Sequence, residues 1–321
     1  MQRPQLEQII KIGARGSPLS LAQTGQLRAS LALSLGVSGD ATDQFLPIIP
    51  IVTTGDRIQD RPLSEAGGKG LFTKELDDAL LDGRIDCAIH SLKDVPTHLP
   101  DGIVLLAGPK REDRRDALMS LDGLSLNQLK QGSVVGSASL RRGTQLLFAR
   151  PDLKIVSLRG NVGTRLDKLR AGGIDATILA AAGLARLGLL HVPHVMLDPD
   201  KMPPAIGQGA LAITARAGDT RVAQAFAAIA DASTFIETST ERAFLTALDG
   251  SCKTAIGALA KLMPDGSLSF IGEALSADGA NKWRESETVS GATLETAQAL
   301  GTKLGLMIKA QAGDALSGHA R

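Results

Sequence analysis

Tyrosine is absent from this 321-residue chain, tryptophan occurs once, and aromatic residues make up only 2% of it. Stacking platforms for single-stranded bases are therefore all but missing. The formal net charge is +1, too little to create the field that gathers nucleic acid. The two cysteines, Cys87 and Cys252, lie far apart and make no disulfide framework. No apolar run approaches the roughly 18 residues that a membrane-spanning helix needs. The opening Met1-Gln2-Arg3-Pro4-Gln5 lacks the apolar core of a secretory signal. The expectation is a soluble, reduced, cytoplasmic protein with neither a membrane nor a nucleic acid as partner.

What is present is ordinary for a globular protein: 43% hydrophobic and 21% charged residues, with length enough for two or three domains. The most informative stretch is Ile85-Asp86-Cys87-Ala88-Ile89, which breaks into His90-Ser91-Leu92-Lys93-Asp94 before Val95-Pro96 forbids continuation. In open α/β sheets, ligands bind in loops just beyond the carboxyl ends of strands. There Lys93 offers a cation to an anion, and Asp94 a carboxylate for proton or charge work.

Strands and helices alternate until about residue 250. The spacing predicts strands at 9–14, 45–54, 85–89, 134–136, 155–158 and 176–180, and helices at 19–35, 71–81, 140–149 and 162–170. Such βα units imply mostly parallel sheets covered on both faces. Gly83-Arg84-Ile85-Asp86-Cys87-Ala88-Ile89 is echoed by Gly172-Gly173-Ile174-Asp175-Ala176-Thr177-Ile178, each glycine standing where a helix stops before a strand. Two related lobes with a cleft between them are expected, a common setting for small-molecule sites. Beyond Gly250, strands at 254–262, 268–275 and 282–289, joined by Pro264-Asp265-Gly266 and Asp278-Gly279, precede a helix at 292–311. That pattern predicts a small α+β domain with a three-stranded antiparallel sheet.

Four further clusters carry candidate chemistry. Gly13-Ala14-Arg15-Gly16-Ser17 opens a helix, where backbone amides and Arg15 favour an anion. Gly67-Gly68-Lys69-Gly70 lacks the Walker spacing and reads as a hinged lid carrying a cation. Ser137-Ala138-Ser139-Leu140-Arg141-Arg142 and Arg159-Gly160-Asn161-Val162-Gly163-Thr164-Arg165 put four arginines at neighbouring strand ends, which implies a polyanionic ligand. In Gly250-Ser251-Cys252-Lys253, a cysteine in a Gly-Ser turn has a lysine beside it to favour the thiolate. Cys87, within a strand, reads instead as a buried small hydrophobe. His191-Val192-Pro193-His194 lacks further ligands at recognised spacing, so no metal site is expected. His90, Ser91 and Asp94 are too close in sequence to orient one another as a hydrolytic triad.

Taken in order, Arg15-Gly16-Ser17-Pro18-Leu19, Gly67-Gly68-Lys69-Gly70-Leu71-Phe72, His90-Ser91-Leu92-Lys93-Asp94-Val95-Pro96, Ser139-Leu140-Arg141-Arg142, Leu158-Arg159-Gly160-Asn161-Val162-Gly163-Thr164-Arg165 and Gly207-Gln208-Gly209-Ala210 resemble the porphobilinogen deaminase (hydroxymethylbilane synthase) family. The resemblance runs from about Ile10 to the C-terminal domain. It implies a transferase that joins four porphobilinogen molecules head to tail, with loss of ammonia, into the linear tetrapyrrole hydroxymethylbilane. It also implies a dipyrromethane primer held by a thioether, by position at Cys252. By the same resemblance, Asp94 stabilises developing positive charge, and Lys93, Ser139, Arg141, Arg142, Arg165 and Asp94 hold the primer. Arg15, Ser17, Arg159 and Arg186 bind substrate, and Lys69 lies on the lid. This chain departs from the family pattern at Ser251, where glycine is usual, and at Ala138, where a hydroxyl is common.

The implied fold is two similar α/β lobes with mostly parallel sheets, of the periplasmic-binding-protein type, plus the C-terminal α+β domain. The expected boundaries are 1–109 with 208–228, 110–207, and 229–321 for cofactor attachment. A monomer is expected. The competing reading is a non-catalytic two-lobed binder of small anions, in which a reactive cysteine has no purpose.

Overall fold

The computed structural model describes residues 8–57, 70–250 and 254–316. Its strands, in chain order, are β1 (Ile12–Arg15), β2 (Ile48–Ile51), β3 (Cys87–Ser91), β4 (Ile103–Leu106), β5 (Asp116–Met119), β6 (Val134–Gly136), β7 (Lys154–Val156), β8 (Ala176–Ala180), β9 (His194–Met196), β10 (Leu211–Arg216), β11 (Ala255–Leu262), β12 (Leu268–Leu275) and β13 (Lys282–Val289). Tertiary contacts divide the chain into two units: Met1–Arg111 with Ala210–Phe235, and Glu112–Gly209 with Ile236–Arg321.

In the first unit the sheet order is β2-β1-β3-β10-β4. β1 pairs in parallel with β2 and β3, whereas β10 runs antiparallel to both β3 and β4. The helix Pro18–Leu35 starts where the sequence places it. Ser17 is extended and its Oγ accepts from Ser20 N–H at 3.3 Å, with Pro18 at the first helical position. Gly36, left-handed at φ 75°, closes the helix. Leu27 and Leu31 of that helix pack with Ile12, Ile89, Ile213 and Phe226. Each such side chain, fully buried, contributes about 1.5–3 kcal/mol.

The second unit repeats the plan in a sheet ordered β7-β6-β8-β5-β9. Again the first two pairings are parallel, and again β5 is antiparallel to both its neighbours. Both sheets are thus mixed, with a parallel half and an antiparallel half. The βα spacing did not predict β4, β5, β9 and β10.

The sequence echo has a physical cause. Gly83 and Gly172 both turn left-handed, at φ 76° and 74°. The aspartate three residues on then reaches back to the neighbouring strand: Lys11 N–H donates to Asp86 Oδ2 at 2.8 Å, and Val134 N–H to Asp175 Oδ2 at 2.6 Å. Each aspartate also donates its own N–H to the carbonyl of that same residue, at 2.9 Å in both copies. The seven-residue match encodes the entry of one parallel strand beside another.

The C-terminal strands form an antiparallel sheet ordered β11-β12-β13, on which Ala297, Leu300, Leu304 and Ile308 of the helix Leu294–Ala312 pack. Phe244 and Phe270 meet edge to face with ring centroids 5.4 Å apart. Gly272 makes room for that pair, since an added Cβ would stand 2.4 Å from Phe244 Cε2.

Candidate active site

In the first unit, the parallel register sets Ala14 opposite Ile89, so Arg15 and His90 emerge at the same sheet edge. A single 3₁₀ turn, Leu92–Asp94, follows β3. Leu92 and Val95 are buried and pin it from both sides, leaving Lys93 exposed and the Asp94 side chain 33% accessible. Arg15 Nη2 donates to Asp56 Oδ1 at 2.5 Å and Nε to Asp56 Oδ2 at 3.3 Å. Its Nη1 stands 3.9 Å from Asp94 Oδ2, and its guanidinium carbon lies 4.0 Å from the Phe72 ring centroid. Burial opposes ionisation of Asp56, but hydrogen bonds from Arg15 and Thr53 outweigh it and hold the carboxyl below its usual range.

A pocket at this edge is lined by Arg15, Ser17, Gln23, His90, Ser91 and Asp94, among others. His90 is 3% exposed, and its Nε2 lies 3.2 Å from Thr214 Oγ1. Burial, and then the charge of Arg15, lowers its pKa to about 4, so it is a neutral wall of the pocket at neutral pH. Ser91 Oγ donates to Gln23 Oε1 at 3.1 Å. Cys87 is fully buried and its thiol pKa is pushed far up by burial, which makes it inert.

The second unit presents the arginines. Ser139 caps the helix Leu140–Ala149, its Oγ accepting from Arg142 N–H at 3.4 Å. Arg141 and Arg142 were expected to present their forks to a ligand. They are 5% and 6% exposed, and both also bond to the carboxylate of Asp116. Arg141 Nη1 donates to Asp116 Oδ2 at 2.8 Å, and Arg142 Nη2 to Asp116 Oδ1 at 2.6 Å. Arg142 also reaches Ile178 O at 3.1 Å and Gln208 Oε1 at 3.4 Å. Burial opposes ionisation of Asp116, yet the two guanidiniums hold its carboxyl far below the normal range. Arg141 Nε remains buried without a partner.

One βα junction later, Asn161 caps the helix Val162–Arg170. Gly160, at φ 117°, permits the close turn in which Arg165 Nε donates back to Gly160 O at 2.9 Å. Burial, and then repulsion from Arg142 and Arg159, lowers the Arg165 pKa to about 10. Arg159 Nη1 is buried with no partner. Arg186 Nη2 is engaged with Gly209 O at 2.8 Å. Arg141 and Arg142 therefore share one carboxylate, Arg165 feels the charges of Arg142 and Arg159, and Arg141 and Arg159 each keep a buried donor unsatisfied. That donor set fits a ligand with several carboxylates.

Lys69 and Cys252 lie outside the described residues. The chain approaches Cys252 through Asp249, a non-glycine residue at φ 50°, and Gly250, where an added Cβ would stand 2.4 Å from Ile256 Cδ1. Ala138 is exposed at the mouth of the arginine helix. Sequence reasoning missed Asp56, Phe72, Asp116 and Gln208. Phe72 and Gln208 stood inside quoted motifs, Gly67-Gly68-Lys69-Gly70-Leu71-Phe72 and Gly207-Gln208-Gly209-Ala210; Asp56 and Asp116 are set by long-range contacts.

Two α/β units of one topology, one ending in a half-buried carboxylate and the other in surplus guanidinium, mark a protein built to handle a polycarboxylate. The model for porphobilinogen deaminase, dipyrromethane cofactor binding domain, matches residues 10–224, and that for the porphobilinogen deaminase C-terminal domain matches 235–310. Porphobilinogen deaminase of Caulobacter sp. (strain K31) is 54% identical over 314 residues, spanning 96% of this chain and 98% of that protein. Those of Caulobacter vibrioides (strain NA1000 / CB15N) and Phenylobacterium zucineum (strain HLK1) are 55% and 50% identical over 315 residues, covering 96% of this chain and 97% and 98% of theirs. The chain belongs to the porphobilinogen deaminase family, and dipyrromethane is the cofactor of its matched domain.

Proposed function

We propose that this chain joins four porphobilinogen molecules, with loss of ammonia at each addition, into hydroxymethylbilane, with Asp94 as the catalytic carboxylate and Cys252 as the point of cofactor attachment. The transferase activity and its place in tetrapyrrole biosynthesis follow from the family. When bound, dipyrromethane supplies the primer on which the product is built.

The residues divide the work by charge. Each pyrrole carries an acetate and a propionate, so every ring added brings two more carboxylates to be neutralised. Lys93, Ser139, Arg141, Arg142 and Arg165 hold the cofactor's carboxylates, Arg141 and Arg142 from the buried base that Asp116 provides. Arg15, Ser17, Arg159 and Arg186 bind the incoming monopyrrole. Loss of ammonia from porphobilinogen leaves an electron-poor azafulvene whose positive charge spreads to the ring nitrogen. Asp94 accepts the pyrrole N–H and steadies that charge; its partial exposure keeps it open to a ligand.

The observation that carries this reading is the pair Arg141 and Arg142 on the Asp116 carboxylate, with Arg165 close enough to Arg142 and Arg159 to be repelled by both. We further propose a cytoplasmic monomer with no nucleic-acid or membrane partner. The balanced charge favours this, and no helix among the described residues is long and apolar enough to cross a membrane. The units of the fold are read as domains 1–109 with 208–228, 110–207 and 229–321.

Intact mass of the purified protein tests the assignment. The expected mass exceeds that of the polypeptide by two pyrrole units, and the increment disappears in Cys252→Ser together with turnover of porphobilinogen. An unmodified protein that still turns porphobilinogen over would remove Cys252 from the reading.

A further inference from the structure

The Arg141–Asp116 pair does not end at the sheet that carries it. Arg141 Nη1 also donates to Gln145 Oε1 at 3.0 Å, one helical turn on, and to Pro203 O at 3.1 Å. Gln145 Nε2 in turn donates to Pro203 O at 3.0 Å and to Glu273 Oε1 at 2.9 Å. Glu273 lies on β12 of the C-terminal sheet, and its other oxygen accepts from Arg284 Nη1 on β13 at 3.1 Å. Gln145 and Glu273 are 4% and 1% exposed.

Adhesion between sheet and helix does not require this polar line. At Gly257 an added Cβ would stand 2.5 Å from Pro203 O, and at Gly279 it would stand 3.0 Å from Thr144 O, so the backbones are already in close contact. Ala258 N–H donates to Pro204 O at 2.9 Å. Burying a carboxylate is costly unless it is paired, and an apolar residue at 273 would serve packing better. What the line adds is direction. It fixes the plane of the Arg141 guanidinium and, through the two oxygens of Asp116, that of Arg142.

We propose that Glu273 and Gln145 are positioning residues through which the C-terminal sheet sets the arginine grip on the cofactor's carboxylates. The domain entered beyond Cys252 thereby aligns the carboxylate-binding groups as well as following the attachment point. The inference rests on the reading of Arg141, Arg142 and Arg165 as that grip.

The test uses full-length protein produced in a host that makes no porphobilinogen. It is then incubated with porphobilinogen while intact mass follows the gain of two pyrrole units. Glu273→Leu and Gln145→Leu are each expected to gain that mass about tenfold more slowly, and the double variant no more slowly than either single one. Glu273→Gln keeps an acceptor for Gln145 and is expected to recover most of the rate. Phe270→Leu, in the same sheet but off the polar line, is expected to lower the thermal midpoint without slowing the mass gain. Loading of both leucine variants at the Phe270→Leu rate overturns the proposal. Arg165→Leu separates the two levels: if it also loads normally, the reading of the grip has failed, whereas slow loading in Arg165→Leu alone sinks only the Glu273–Gln145 role.

Discussion

The two sheet edges solve opposite electrostatic problems on one topology. In the first unit Arg15 faces two carboxylates, Asp56 and Asp94, and only Asp56 is tightly bound to it. In the second, two guanidiniums, Arg141 and Arg142, share the Asp116 carboxylate, Arg165 is repelled by Arg142 and Arg159, and Arg141 and Arg159 each keep a buried donor without a partner. A carboxylate only loosely engaged, such as Asp94, suits a cation that forms and vanishes during reaction. An edge with surplus positive charge suits anions that must be held throughout. The same β-strand order, with the same left-handed glycine before its third strand, supports either use.

Asp116→Ala strands two buried guanidiniums and should destabilise the protein by about 3–5 kcal/mol, measured by denaturant unfolding. A loss under 1 kcal/mol would mean that Asp116 is not what holds the arginines. Asp94→Ala removes a partly exposed group that is not tightly bound. It should leave the melting temperature unchanged and cut turnover of porphobilinogen by roughly 10²–10³-fold; near-normal kcat would move the catalytic carboxylate elsewhere. Arg159→Leu should weaken elongation by roughly 10–100-fold, the worth of a charged hydrogen bond, while the two-pyrrole mass increment persists. Equal damage to both readouts would place Arg159 in the primer's grip rather than the substrate's.

The smallest effect sharpens the role of His90. Its folded-state pKa, near 4, lies below its ordinary 6.5, so the fold prefers the neutral ring. Its contribution is therefore complete above pH 6.5 and is lost as the pH falls towards 4. Relative to His90→Gln, the wild type should lose about 1.4 kcal/mol one pH unit below 6.5. Matching pH profiles for the two proteins would show that His90 is not held neutral.

Legibility followed the range of the interactions involved. Helices Leu140–Ala149 and Val162–Arg170 and strands β8, β12 and β13 stand where the pattern of the chain puts them. Their caps, turn glycines and alternation are local. Ser17-Pro18, Ser139 and Asn161 are likewise readable because an N-cap needs only the next three residues. By contrast, β5 and β9 lie outside the βα alternation that located the equally short β6. The stretch expected as one strand from 45 to 54 is divided between the end of a short helix, Asp40–Phe45, and β2. Its apolar run carries no mark of where pairing with β1 begins.

By itself, the sequence determined the alternation of elements and the family, and it set the expectation of a polyanionic ligand and of a site at the His90–Asp94 turn. Those follow from residue types at short spacing. Only the tertiary structure decided how the charges are answered. Arg15 turned out to be held by Asp56, 41 positions away, and Arg141 and Arg142 by Asp116, 25 and 26 away. Gln145 meets Glu273 across 128 positions. A guanidinium looks the same in sequence whether it awaits a ligand or is bound to a carboxylate of its own chain. The distinction is made by which distant strand folds beside it.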